Sequence, residues 1–138
     1  TMRNLIKKHA EEGMPIYAEC GGLMYLTKSI DFGKKKYKMV GLFDAETQMT
    51  EKMTLNYTEG RITSRCLIST PRKFRAHEFH YSKIRNLPRD VKLVYDLKIG
   101  EGISRKKDGL SEYNTLASYC HLYFDSAKYA TKLVSKRV

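Results

Sequence analysis

Cys20 stands at the end of the apolar run in PIYAECGGLMYL, residues 15–26, and two glycines follow it at once. That arrangement is the pattern of a nucleophile elbow. A reactive side chain sits on a sharp turn between a strand and a helix, and the residues two before and two after it must be small so that neighbouring turns can approach. Ala18 and Gly22 occupy those positions, and Gly21 adds backbone freedom. A helix opening at Gly22 would turn its positive end toward Cys20 and favour the thiolate. The Gly21 N–H could donate to an oxyanion on an attacked carbonyl. The competing reading is an inert core cysteine beside a glycine turn, and the pattern alone leaves both open.

A cysteine nucleophile needs a base, usually a histidine delivered by the fold rather than by proximity in the chain. Four histidines are available. His9 lies on the first helical segment and reads as structural or surface. His121 closes the strand-like TLASYCHLYF, and reactive groups of open α/β sheets gather at the carboxyl ends of strands, so it suits the role best. His77 and His80 flank Glu78 in RAHEFHYS, a segment read as a strand with both histidines on one face. Those three could line a pocket, bind a metal or simply pack.

The elements that must hold these residues follow from patterning. Met2, Leu5, Ile6, His9 and Ala10 share a helical face, and the helix should stop near Gly13. Residues 15–18 read as a short buried strand and 22–28 as a helix, the local grammar of a parallel α/β sheet. Short strands are expected at 37–43, 53–57, 61–69 and 74–81, punctuated by Gly41, Gly60 and the Ser69, Thr70, Pro71 stretch. A strand at 91–99, a basic glycine-containing turn at 100–109, a strand at 115–119 and an amphipathic helix at 127–136 complete the reading. No repeat, linker or low-complexity tract interrupts it, so residues 1–138 are expected to form one unit. Opening directly on a helix suggests a piece of a longer polypeptide.

Composition narrows the partners. Lysine and arginine number 26 against 15 acidic residues, a net charge of +11, with clusters at Lys34, Lys35 and Lys36, at Arg72, Lys73 and Arg75, at Arg105, Lys106 and Lys107, and in the C-terminal tail. Such a surface suits polyanions, whether nucleic acid, membrane or a polycarboxylate, or it is merely solvated. Cys20, Cys66 and Cys120 are odd in number and widely spaced, so free thiols in a reducing cytoplasm are expected and a structural metal is not. No apolar run approaches the roughly 20 residues of a membrane-spanning helix.

Four segments, PIYAECGGLMYL, FRAHEFHYS, GEGISRKKDGL and LASYCHLYF, together resemble the glutamine amidotransferase domain of cobyrinate a,c-diamide synthases over essentially the whole chain. The resemblance implies a class I glutaminase-like, flavodoxin-like α/β fold with a parallel sheet, lacking its N-terminal part and carrying additional antiparallel strands. Carried over by position, Cys20 matches the nucleophile, His121 the base, and Gly21 and Gly22 the turn and oxyanion region. The block from His77 through Glu78 and His80 matches a signature near the site whose individual roles it leaves open. Many class I glutaminases place a glutamate two residues after the histidine. Here that position is Tyr123, so what orients His121 is left open, with Glu78 as a guess.

The implied chemistry is release of ammonia from glutamine, delivered to an upstream ATP-binding synthetase domain that amidates the a and c carboxylates of a corrinoid. ATP and Mg²⁺ belong to that other domain, because the chain has no GxxxxGK segment followed by Ser or Thr. The implied partners are glutamine and a tetrapyrrole polycarboxylate, with no nucleic acid and no membrane, and a homodimer is possible. Two alternatives stand beside this reading: a nickel-sirohydrochlorin a,c-diamide synthase, and a non-catalytic basic binding module.

Overall fold

A computed structural model describes residues 1–68 and 73–123. The helix expected at 127–136 lies outside the described residues. Helix α1 spans Met2–Glu11 and is capped by the Thr1 hydroxyl, which accepts from the Asn4 N–H. It buries Ala10 and packs Ile6 on the core, while Met2 and Leu5 stay largely exposed. Strand β1, Ile16–Glu19, leads through Cys20 into helix α2, Gly21–Leu26. The helix–strand–turn–helix order read from the sequence is therefore present.

The remainder is sheet. It comprises β2 (Ser29–Asp31), β3 (Lys36–Lys38), β4 (Glu46–Ile62), β5 (Lys73–Arg85), β6 (Leu93–Ile99), β7 (Lys107–Glu112), β8 (Thr115–Ser118) and β9 (His121–Leu122). These strands and β1 form one mixed sheet in the order β1-β8-β7-β6-β4-β2-β3, with β5 on β4 and β9 on β5. Two pairings among the described residues are parallel, β1 with β8 and β2 with β4, and the others are antiparallel. The all-buried β8 separates two apolar layers: Ala117 joins Leu23, Leu26, Phe43 and Tyr119, whereas Leu116 joins Phe74, Val94, Tyr95 and Cys120.

Strand falls short of the expected 37–43 and 61–69, since β3 ends at Lys38 and β4 at Ile62, and two further expectations change. The break expected at Gly60 is instead the interior of the 17-residue strand β4, bulged between Met49 and Thr54. Glycine is required there by crowding: a Cβ would stand 2.7 Å from the Asp96 carbonyl oxygen and 2.8 Å from the Phe74 ring. Gly60→Ala should cost about 1–3 kcal/mol of stability by overpacking, read from denaturant unfolding. An unshifted transition would show that the strands yield. Second, β5 alternates strictly, with Phe74, Ala76, Glu78, His80 and Ser82 buried and Arg75, His77, Phe79 and Tyr81 exposed. His77 and His80 are three residues apart, so on a period of two they face opposite sides. The shared face expected for them is corrected.

Candidate active site

Cys20 occupies the turn between β1 and α2 with φ 49° and ψ −104°, a conformation that non-glycine residues adopt only when their surroundings enforce it. The surroundings are specific. Its N–H donates to the Ser118 carbonyl of β8 (2.7 Å), and its carbonyl accepts from Met24 N–H (3.0 Å), starting α2. The thiol points to β5, donating to the Phe79 carbonyl at 3.5 Å. Gly22 meets the small-residue requirement directly, because a Cβ there would stand 2.9 Å from the Cβ of Ala18.

The sulfur is half-buried rather than sealed in hydrocarbon. Burial pushes the thiol above its ordinary range, and the Gly21 N–H pulls the other way without winning. The pull toward thiolate expected from the helix terminus is outweighed here: α2 has six residues, and desolvation dominates. Cys20 needs a base to become a nucleophile.

His121 lies on β9, opposite His77 of β5, and the two rings stack with centroids 4.9 Å apart. Its Nδ1 is 3.7 Å from Oε1 of Glu19, the residue immediately before Cys20. The imidazole side chain is 33% exposed and the carboxylate 27%, so both are open to a solute. Sequence-distant Cys20 and His121 are thereby brought to the same end of β1. His77 is exposed and tilts against the Tyr123 ring.

Glu78 and His80 belong to the interior instead. Glu78 is fully buried and accepts from Asn56 Nδ2 (2.8 Å), Glu101 N–H (2.6 Å) and Gly102 N–H (3.1 Å). Its Oε2 also lies 3.2 Å from His80 Nε2, and His80 Nδ1 lies 2.8 Å from the Ser82 carbonyl oxygen. The His80 ring stacks on Tyr119 at 3.7 Å. Burial pushes the Glu78 carboxyl up, but the hydrogen bonds from His80, Glu101, Asn56 and Gly102 together hold it below its usual range. This pair ties β5 to the 101–102 loop, and Glu78 is not what faces His121.

Sequence reasoning missed three groups: Glu19, Tyr17 and Asp108. Asp108 is fully buried and accepts from Gly109, Tyr119 and Cys120 N–H groups, so it fixes the turn that leads into His121. Burial pushes its carboxyl up, opposed by hydrogen bonds from the Cys120 thiol and these amides. The Asp-Gly pair reads as a surface turn in sequence, so no signal separated it from the exposed charges around it. Glu19 was legible only as a carboxylate adjoining the candidate nucleophile. Part of the basic surface is neutralised, with Lys36 on Glu46 and Lys107 on Asp96.

A family model described as a CobB/CobQ-like glutamine amidotransferase domain matches residues 1–129. The chain belongs to this family. Within it, the chain is 50% identical over 124 residues to the cobyrinate a,c-diamide synthase of Sulfurisphaera tokodaii, and 41% identical over 137 residues to that of Methanosarcina barkeri. Each alignment covers 89% of this chain and 28% of the relative, so the chain matches only about a quarter of those proteins' length. A crystal structure of a Thermoplasma acidophilum protein assigned as part of a GMP synthase superposes with a TM-score of 0.58 at 16% identity, covering 98% of this chain and 65% of that one. That likeness bears on the fold, which is the glutamine amidotransferase-like α/β fold the motifs implied. Among the described residues no helix is long and apolar enough to cross a membrane.

Proposed function

We propose that this amidotransferase domain is the glutaminase part of an ATP-dependent cobyrinate a,c-diamide synthase. Cys20, half-buried on a positive-φ turn at the mouth of α2, is the observation that carries the reading. His121 takes the thiol proton, and the sulfur attacks the side-chain amide carbon of glutamine. The oxyanion is received by the Gly21 N–H, with Gly22 leaving room for the turn. His121 returns the proton to the departing nitrogen, which leaves as ammonia. Water then adds to the glutamyl thioester, giving up a proton to His121, and glutamate departs as the Cys20 thiol is restored.

The ammonia passes to an upstream ATP-binding synthetase domain, which activates the a and c carboxylates of a tetrapyrrole polycarboxylate. The relatives' names support a corrinoid over a nickel sirohydrochlorin as that substrate. ATP and Mg²⁺ are assigned to that upstream domain, since this chain has no P-loop segment. No step of the glutaminase chemistry runs through them.

The test is covalent. In the intact protein, the glutamine analogue diazo-oxo-norleucine should label one site, Cys20, as read by peptide mass, and Cys20→Ser should abolish the adduct. An intact protein that neither labels nor releases ammonia from glutamine would defeat the proposal. Salt-dependent DNA binding alongside that failure would favour a basic binding module.

A further inference from the structure

We infer that Glu19 is the positioning residue of His121, completing a Cys–His–carboxylate relay in which carboxylate and nucleophile are consecutive residues at the end of β1. The inference rests on the glutaminase reading above. Its ground is how the carboxylate is held. The Tyr17 hydroxyl, on the same side of β1, donates to Glu19 Oε2 at 2.7 Å, and the Leu122 N–H of β9 donates to the same oxygen at 2.8 Å. Both donors use Oε2, and Oε1 is the atom that faces His121 Nδ1, at 3.7 Å. Burial and the Glu19 charge hold the Tyr17 hydroxyl protonated, well above its usual range, so it remains a donor.

Among the described residues, the buried carboxylates are already engaged elsewhere. Glu78 is consumed by His80, Asn56 and two backbone amides, and Asp108 by three backbone amides. Tyr123, two residues after His121, brings a ring and no carboxylate.

The role follows from that geometry. A carboxylate at Nδ1 keeps the proton on that nitrogen and leaves Nε2 to accept from the thiol. When the Cys20 proton moves to Nε2, the ring becomes a cation, and Glu19 balances its charge without taking a proton. No net electron or proton is lost, because the same proton leaves with ammonia. The 3.7 Å separation exceeds a hydrogen bond, and catalytic contacts commonly tighten only in the substrate complex.

Glutaminase kinetics on the intact protein test this. Glu19→Gln keeps the shape and an acceptor for Leu122 but loses the charge, whereas Glu19→Asp keeps the charge and shortens the arm. Expected are a fall in kcat of about 10²–10⁴-fold for Glu19→Gln with the KM for glutamine little changed, and a smaller loss for Glu19→Asp. A merely structural role would reverse that order, because the isosteric amide would be tolerated better. Wild-type kcat in Glu19→Gln, or a larger loss in Glu19→Asp than in Glu19→Gln, overturns the inference. Should Glu19→Gln fail to fold, Tyr17→Phe decides: kcat should fall at constant KM, and an unchanged kcat overturns the role. Cys20 labelling in the wild type separates the two failures, since without it the glutaminase reading itself has fallen.

Discussion

His121→Ala should lower glutamine turnover by the intact protein by about 10²–10⁴-fold, the range that a positioned general base contributes. The reason lies in the thiol. Burial keeps Cys20 protonated at rest, so the attack begins with a proton transfer that no feature of the turn performs unaided. His121 reaches that position through β9, whose Leu122 N–H bonds to the residue before the nucleophile. His77→Ala removes the ring stacked on His121 and should cost far less, because the Glu19 carboxylate faces the His121 imidazole. His80 is locked between Glu78 and the Ser82 carbonyl and is removed from contention. Full turnover in His121→Ala would move the base to His77, and initial-rate ammonia release measures both variants.

Glu78→Ala should destabilise the fold by about 3–5 kcal/mol, the scale of removing a buried carboxylate from the donors it satisfies. The substitution strands His80, the Asn56 amide and two loop N–H groups at a fully buried site. Denaturant unfolding reads the loss, and a transition at the wild-type midpoint would refute it. The pH dependence has a definite sign. The folded carboxyl titrates below its unfolded value of about 4.3, so its contribution is complete above that pH and disappears as pH falls through the folded value. Asp108 acts oppositely. Its folded carboxyl is raised, so its unfavourable contribution grows as pH rises above the unfolded range, and acid relieves it. Glu78→Gln should therefore flatten the acid limb of the stability curve.

The parts of this molecule legible in the sequence are those encoded within a few residues. The small-x-Cys-x-small spacing located the turn, and the apolar run before it located β1. What escaped depends on partners distant in the chain. Gly60 was read as punctuation because glycine usually is; only Asp96 and Phe74, closing on it from either side, make it a strand interior. Strand β7 begins Lys-Asp-Gly, a turn signature, and is held as strand by β6 and β8. Glu78 and Asp108 look like surface charges until the amides that satisfy them are placed. The pairing of Glu19 with His121 is invisible to any local pattern, since most of the chain separates them and Tyr123 occupies the position where a glutamate was sought.

The register of β1 also sets a timetable for biosynthesis. Its strand neighbour among the described residues is β8, and the Glu19–Leu122 bond joins its end to β9. A ribosome adding roughly 5–20 residues per second needs on the order of 5–20 s to travel from the nucleophile to that point. Throughout that interval the emerging chain carries Cys20 without His121. On the glutaminase reading proposed above, a nascent polypeptide would gain the ability to liberate ammonia only once β8 and β9 close on β1.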